Sequence, residues 1–240
     1  MELAPGLHRI GGDLVAIHLI VTDEGLTLVD AGMPGHWAEL ETELERIGRS
    51  ADEIRGVVLT HGDSDHVGIA ERLRRDYGAA VYVHEADAAR ARGEESTKPA
   101  WGKVRIGPLA RFIGYGLRKR GFTLEHPAEV VPVRAGDVLD LPGSPVLIGL
   151  PGHSPGSVAV HVPAVGALFV GDALTTGHVL TGERGPQPAP FTDDPATALE
   201  SLAAIDHLDA RWVIPGHGPA LEAAPADVVR AVRERAGALR

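Results

Sequence analysis

Val57-Val-Leu-Thr60-His61-Gly-Asp63-Ser-Asp65-His66-Val-Gly68 passes from a short apolar block through four side chains able to ligate a metal and back to small residues. The block Val57 to Leu59 is too short for a helix and reads as a buried strand. After the polar run, Ile69, Leu73 and Tyr77 recur at helical spacing. Strand, tight loop and helix in that order place His61, Asp63, Asp65 and His66 at one edge of a sheet. Taken alone, the run equally fits a turn whose Asp caps the next helix, so its meaning depends on the rest of the chain.

Upstream, Leu7 to Ile10, Leu14 to Val21 and Leu26 to Val29 are short apolar blocks bounded by Gly and Asp, the last ending in Asp30-Ala-Gly32. They predict three successive strands. Trp37, Leu40, Leu44 and Ile47 then predict an amphipathic helix that stops at Gly48. Downstream, strands are predicted at Val81 to Val83, Val130 to Val133, Val138 to Leu141, Val146 to Leu150, Val158 to Val162, Ala167 to Val170 and Trp212 to Ile214. Helices are predicted at Ala196 to Ile205 and Asp227 to Leu239. Strands and helices in both halves suggest two sheets covered outside by helices.

Three later segments repeat the opening pattern of apolar strand, glycine and ligand: His153 in P-G-H-S-P-G-S, Asp172 in F-V-G-D-A and His217 in I-P-G-H-G-P. The chain has no cysteine, so disulfides and thiolate sites are excluded and any metal is held by imidazole nitrogen and carboxylate oxygen. This set resembles the metallo-β-lactamase superfamily of hydrolases, whose signature H-x-H-x-D-H is followed in order by a His, a bridging Asp and a final His. The resemblance runs from the strands ending in Asp30 to His217. It implies an α+β fold, a four-layer αββα sandwich, here a single domain over residues 1–240 with a helical insertion near 85–127. It further implies that His61, Asp63 and His153 hold a first metal and Asp65, His66 and His217 a second, with Asp172 between them and Asp30 behind the ligands. Asp63 stands where the family has its second His. A carboxylate there hardens the first site, so beside two Zn ions Mn or Fe enter as alternatives, as does a weak first site.

What the resemblance implies of function is a metal-dependent hydrolase in which a metal-bound hydroxide attacks a small ester, thioester, lactone or related acyl substrate, Asp65 both binding metal and orienting the nucleophile. A phosphodiesterase or nuclease of the same fold, and a non-catalytic metal-binding sensor or interaction protein, are the competing readings. Neither G-x-S-x-G nor a G-x-x-x-x-G-K-[ST] phosphate loop occurs. Seven other histidines, His8, His18, His36, His84, His126, His161 and His207, lack the glycine-flanked context and read as surface or hydrogen-bonded side chains, while His178, in the loop after Asp172, has a substrate contact as its alternative reading.

Charge and hydropathy limit the partners. A formal charge of −10 repels nucleic acid and anionic membrane on average, and only a local basic patch reverses that. The longest apolar run, Val15 to Val21, includes His18 and is far below the ~20 residues of a membrane span. The N-terminal Met1-Glu-Leu-Ala-Pro-Gly has no secretory pattern, which gives a cytoplasmic protein as the expectation. The polarised stretch is Thr97 to Thr123, which has no acid but carries Lys98, Lys103, Arg105, Arg111, Arg118, Lys119 and Arg120 together with Trp101, Phe112, Tyr115 and Phe122. Leu109, Phe112, Ile113 and Leu117 fall at helical spacing there. The expected readings are a helix packed on the domain with solvated charges, a lid over a small substrate, an anionic one among the alternatives, a docking surface for an anionic partner, or a homodimer contact.

Overall fold

The computed structural model describes residues 1–97 and 101–238. Its first half gives β1 (Glu2–Ala4), β2 (Leu7–Gly11), β3 (Ala16–Thr22), β4 (Gly25–Val29), α1 (Trp37–Arg46), β5 (Ile54–Val58), α2 (Ala70–Tyr77), β6 (Ala80–His84), α3 (Ala88–Ala91), α4 (Ile106–Arg118) and β7 (Val131–Val133). The seven strands form one sheet in sequence order. Strands β1 to β4 are antiparallel and β4 to β7 parallel, the parallel links being made through α1, α2 and the α3–α4 segment.

The second half gives β8 (Val146–Gly149), β9 (Val158–Val162), β10 (Ala167–Gly171), the ribbon β11 (Thr175–Gly177) and β12 (Arg184–Gln187), α5 (Pro195–Ser201), β13 (Trp212–Pro215), β14 (Leu221–Glu222) and α6 (Pro225–Ala238). The second sheet runs β14-β13-β10-β9-β8.

Alternation along the strands explains the layers. In β3, Ile17 and Leu19 face α1 and α2, joining Leu40, Leu44 and Leu73, whereas Ile20 points into the other core. In β10, Ala167 and Phe169 enter that same inter-sheet core with Leu7, Val58 and Val160, and Leu168 and Val170 face Leu202, Val229 and Val232 on the helical side. Both sheets are thus apolar on both faces, which is why their strands read as near-continuous apolar blocks rather than alternating ones. The result is the four-layer αββα sandwich.

Some elements differ from the sequence reading. Val138 to Leu141 makes only an isolated bridge from Val138 to Val146. Leu139 and Leu141 are buried in the inter-sheet core, but Pro142 and Pro145 offer no N–H to a ladder and Gly143 (φ 86°) turns the chain between them. The helix predicted to Ile205 leaves α geometry after Ser201 and ends in a 3-10 turn, and Leu239, the predicted end of the last helix, lies outside the described residues. The insertion is less helical than expected, with α3 a single turn and α4 its one substantial helix. Lys98 lies outside the described residues. Of the residues at helical spacing in the insertion, Ile113 is 44% and Leu117 65% exposed, so they are not the side that packs on the domain. The helix is seated instead by Tyr115 and Phe112, which meet Val15, Met33 and Leu14.

Candidate metal centre

The strand ends deliver the polar residues to one edge. His61, Asp63, Asp65 and His66 follow β5, and α2 begins only at Ala70 with no side-chain cap, so neither Asp acts as a helix cap. His153 follows β8, Asp172 comes directly after β10 and His217 follows β13. Glycine permits the approach of these segments at two points. A Cβ on Gly216 would lie 2.5 Å from His66 Cε1 and 2.6 Å from Asp172 Oδ1, and one on Gly171, at φ 50°, would strike the Thr60 hydroxyl.

All seven predicted side chains come together. His61, Asp63 and His153 form one group and Asp65, His66 and His217 another, each with one ligand atom per residue lying within 4.8 Å of the others, and Asp172 with His61 and His66 makes a third group of the same kind. Asp172 sits between them, Oδ2 3.0 Å from His217 Nε2 and 3.9 Å from His153 Nε2, with Oδ1 3.6 Å from His66 Nε2. Asp63 Oδ2 is 3.2 Å from His153 Nε2 and 3.5 Å from His61 Nε2. Asp65 Oδ2 is 3.4 Å from His217 Nε2.

The backs of the imidazoles fix which nitrogen faces the centre. His66 Nδ1 donates to Asp30 Oδ2 at 3.0 Å. The Thr60 hydroxyl donates to Asp30, so it accepts from His61 Nδ1 at 3.0 Å. Thr192 donates to the Ala189 carbonyl and accepts from His153 Nδ1 at 3.2 Å, and His217 Nδ1 donates to the Leu14 carbonyl. With every Nδ1 so engaged, it is the Nε2 of each imidazole that faces the centre. Buried there without any hydrogen-bond partner are His61 Nε2, His66 Nε2 and Asp172 Oδ1. Orphaned buried polar atoms are costly, and two imidazole nitrogens and a carboxylate oxygen are a donor set that a divalent cation satisfies. The charges agree. Burial opposes an imidazolium at His66, but Asp30, with Asp172 and Asp65, outweighs it and raises the group to about 10. Burial is likewise overcome at His217, chiefly by Asp172, which raises it to about 9. At Asp172 itself burial is outweighed by His217, His66 and His153, and the carboxyl is held far below the usual range. A field that favours positive charge this strongly suits a cation.

Sequence reading missed the residues that hold the ligand loops. Asp87, fully buried after β6, accepts from Gly62 N–H at 2.9 Å, Ser154 Oγ at 2.6 Å and Gly156 N–H at 2.7 Å, pinning the His61 and His153 loops to each other. Arg90 on α3 pairs with Asp63 Oδ1 through Nε and with Asp193 at 2.8 Å through Nη1. A polar residue in an unremarkable context, such as Asp87, carries no motif that would have found it. Asp30 lies behind His66, bonded to its Nδ1 and to Thr60, in a left-handed conformation at φ 58°.

Over the centre lies an open cleft of about 690 Å³. Asp63, Asp65 and Arg90 form part of its floor, and Met33, Trp101, Leu109, Phe112, Ile113, Phe122 and Phe191 supply apolar walls. The insertion therefore borders the cleft. Phe112 meets His217 edge to face, ring centroids 6.2 Å apart. The other histidines stay apart from the centre: His8 bonds Glu43, His36 bonds Tyr115, His18 packs on Phe169, and His126, though it lines the cleft, bonds the Ala91 carbonyl. His178 accepts the Leu180 and Thr181 N–H groups and lines a neighbouring cavity beyond Phe191.

Residues 10–217 match the family model described as the metallo-beta-lactamase superfamily. The chain belongs to the metallo-β-lactamase superfamily. Among relatives, it is 27% identical over 229 residues to the probable metallo-hydrolase YflN of Bacillus subtilis, covering 90% of this chain and 85% of that protein. It is 28% identical over 205 residues to the acyl-coenzyme A thioesterase MBLAC2 of Bos taurus, covering 82% and 68%. Among solved structures, TTHA1623 in a di-iron-bound form is 27% identical with a TM-score of 0.61, covering 90% of this chain and 93% of that one. The metallo-β-lactamase family protein TTHA1429 of Thermus thermophilus matches with a TM-score of 0.71 at 24% identity, over 98% of this chain and 81% of that one, a likeness of fold. Metallo-β-lactamase superfamily members are generally hydrolases, and the relative YflN is named a probable metallo-hydrolase. Among the described residues no helix is long and apolar enough to cross a membrane.

Proposed function

We propose that this protein is a metal-dependent hydrolase of small acyl compounds, an ester, thioester or lactone, with a pair of divalent ions held by His61, Asp63, Asp65, His66, His153, Asp172 and His217. The observation that carries this reading is the convergence of four imidazole Nε2 atoms, each with its Nδ1 engaged elsewhere, beneath an apolar cleft. In this reading His61, Asp63 and His153 would hold the first ion, Asp65, His66 and His217 the second, and Asp172 would serve both. Imidazole-rich ligation suits Zn, the oxygen of Asp63 suits Mn or Fe, and the di-iron form of TTHA1623 supports iron among the candidates. When bound, such ions supply a water nucleophile active at neutral pH and a Lewis acid for the acyl oxygen.

The protein's own residues do the remaining work. Asp65 faces both His217 and the cleft, so its carboxylate is placed to orient the attacking water and to hold its proton. Met33, Leu109, Phe112 and Phe191 bind the acyl portion and exclude bulk water. Arg90 keeps Asp63 turned with Oδ2 toward the histidines. The name of the relative MBLAC2 supports an acyl substrate.

The test is metal analysis of the purified protein combined with a panel of p-nitrophenyl esters of increasing chain length, thioesters, lactones, a phosphodiester and a chromogenic cephalosporin. The expected result is bound divalent metal and acyl hydrolysis whose kcat/KM rises about three- to fourfold per added methylene while the chain still fits the cleft. A metal-loaded protein that cleaves only the phosphodiester, or none of the panel, overturns the reading.

A further inference from the structure

The outer face of α4 has the composition of a surface that meets lipid. Ile106, Ile113 and Leu117, spaced by seven and four residues, share one side of the helix, and Ile106 is 86% exposed. Tyr115 and Phe112 on the other side already anchor the helix to the domain, so the exposed stripe is not the packing face. Trp101, Val104 and Phe122 extend it at either end, with Phe122 70% exposed. Six of the nine large hydrophobic side chains exposed among the described residues thus fall in this one segment, a concentration that marks an interaction surface.

Charge chooses the partner. Lys103, Arg105, Arg111, Arg118 and Arg120 are all exposed around the stripe, and no acid occurs from residue 97 to 123. Glu183 lies 3.8 Å from Arg105, and Lys119 is buried and committed to Glu39, so Lys119 is not among the free cations. The remainder of the chain is strongly acidic, but at physiological salt a Debye length of ~8 Å leaves the local patch to decide a surface contact. A second copy of the chain would bring one cationic rim against another. A nucleic acid backbone gains nothing from an aliphatic stripe. Apolar centre, cationic rim and long flexible Arg and Lys stems together match an interfacial helix on anionic lipid.

We infer that the α4 face docks this protein on an anionic lipid bilayer, with the mouth of the metal-site cleft turned toward the membrane. Continuity supports the orientation, since Trp101, Ile113 and Phe122 belong both to the exposed patch and to the cleft wall. Acyl chains then reach the cleft from the bilayer rather than through water. The inference goes beyond the hydrolase reading and is tested by binding alone, so either can fail without the other.

The experiment is co-sedimentation of the full chain with vesicles of phosphatidylcholine, alone or with about one-third phosphatidylglycerol, alongside light scattering of the free protein. Binding is expected to the anionic vesicles and far less to the neutral ones. It should fall when salt is raised from about 0.1 M to about 1 M, as the Debye length shrinks from ~10 Å to ~3 Å. Replacing Arg111, Arg118 and Arg120 by Ser should weaken partition about a hundredfold. The double variant Ile106→Ser, Leu117→Ser should also lose partition while keeping its melting temperature, because both side chains are solvent-exposed. No binding to anionic vesicles at low salt overturns the inference, as does partition unaffected by either set of substitutions. A dimer that the Ile106→Ser, Leu117→Ser variant dissolves, without vesicle binding, assigns the stripe to a second copy, and preferential capture of single-stranded DNA assigns it to nucleic acid; both outcomes overturn lipid docking.

Discussion

Truncating Asp87 to Ala strands two buried donors at once, the Gly62 and Gly156 N–H groups, while the Ser154 hydroxyl keeps Ser157 Oγ at 2.8 Å. At ~1 kcal/mol or more for each unsatisfied group, Asp87→Ala should cost about 2 kcal/mol or more. In a chain of this size that corresponds to a fall of roughly 4–8 °C in Tm, read by calorimetry. Asp63 is held differently, with Oδ1 on Arg90 and Oδ2 toward His61 and His153. Asp63→Ala should empty the first metal position far more than the second, and Asp63→His should move metal preference from Mn or Fe toward Zn. Equal metal ratios in wild type and both variants would show that Asp63 serves Arg90 and not an ion. The seven clustered residues were legible because each carries a local signature of strand, glycine and polar side chain. Asp87, Arg90, Thr60 and Thr192 were not, because their roles exist only once segments distant in sequence approach.

His18 is the one polar side chain among the buried residues of β3. It is buried against Phe169, its Nε2 has no partner, and burial with the nearby Arg9 lowers it to about 3. A histidine whose folded value is depressed stabilises the fold above its unfolded value of ~6.5 and loses that contribution as pH falls from there toward 3. Between pH 7 and pH 5 the loss is about 2 kcal/mol. His18→Leu should therefore shrink the drop in Tm over that interval by roughly 4–8 °C, and an unchanged drop would mean that the imidazole takes its proton without leaving the core. Elements with apolar runs or clear helical spacing, such as β3, β5, β10 and α1, were readable because packing on both faces writes itself into composition. The segment from Val138 to Leu141 was misread because burial of Leu139 and Leu141 gives the same apolar signature as a ladder, and the prolines after it decide otherwise. In α4 the spacing of Ile113 and Leu117 was read correctly as one face, but periodicity does not say whether that face meets protein or solvent.

At the scale of the molecule, four of the seven candidate ligands lie at the edge of the first sheet and three at the edge of the second. Ions bound there, as proposed, would tie the two layers together. Chelator should lower Tm, and metal present at a thousandfold excess over its dissociation constant should restore about 4 kcal/mol, or roughly 8–16 °C. The same division has a kinetic consequence. The ligand segments are separated by stretches as long as that from His66 to His153 and join only when both sheets have closed, late on any folding route. Interactions absent from the transition state slow unfolding and leave folding almost unchanged. In stopped-flow dilution, metal should leave the refolding limb in place and lower the unfolding limb, so that the native chain is reached no sooner but persists longer.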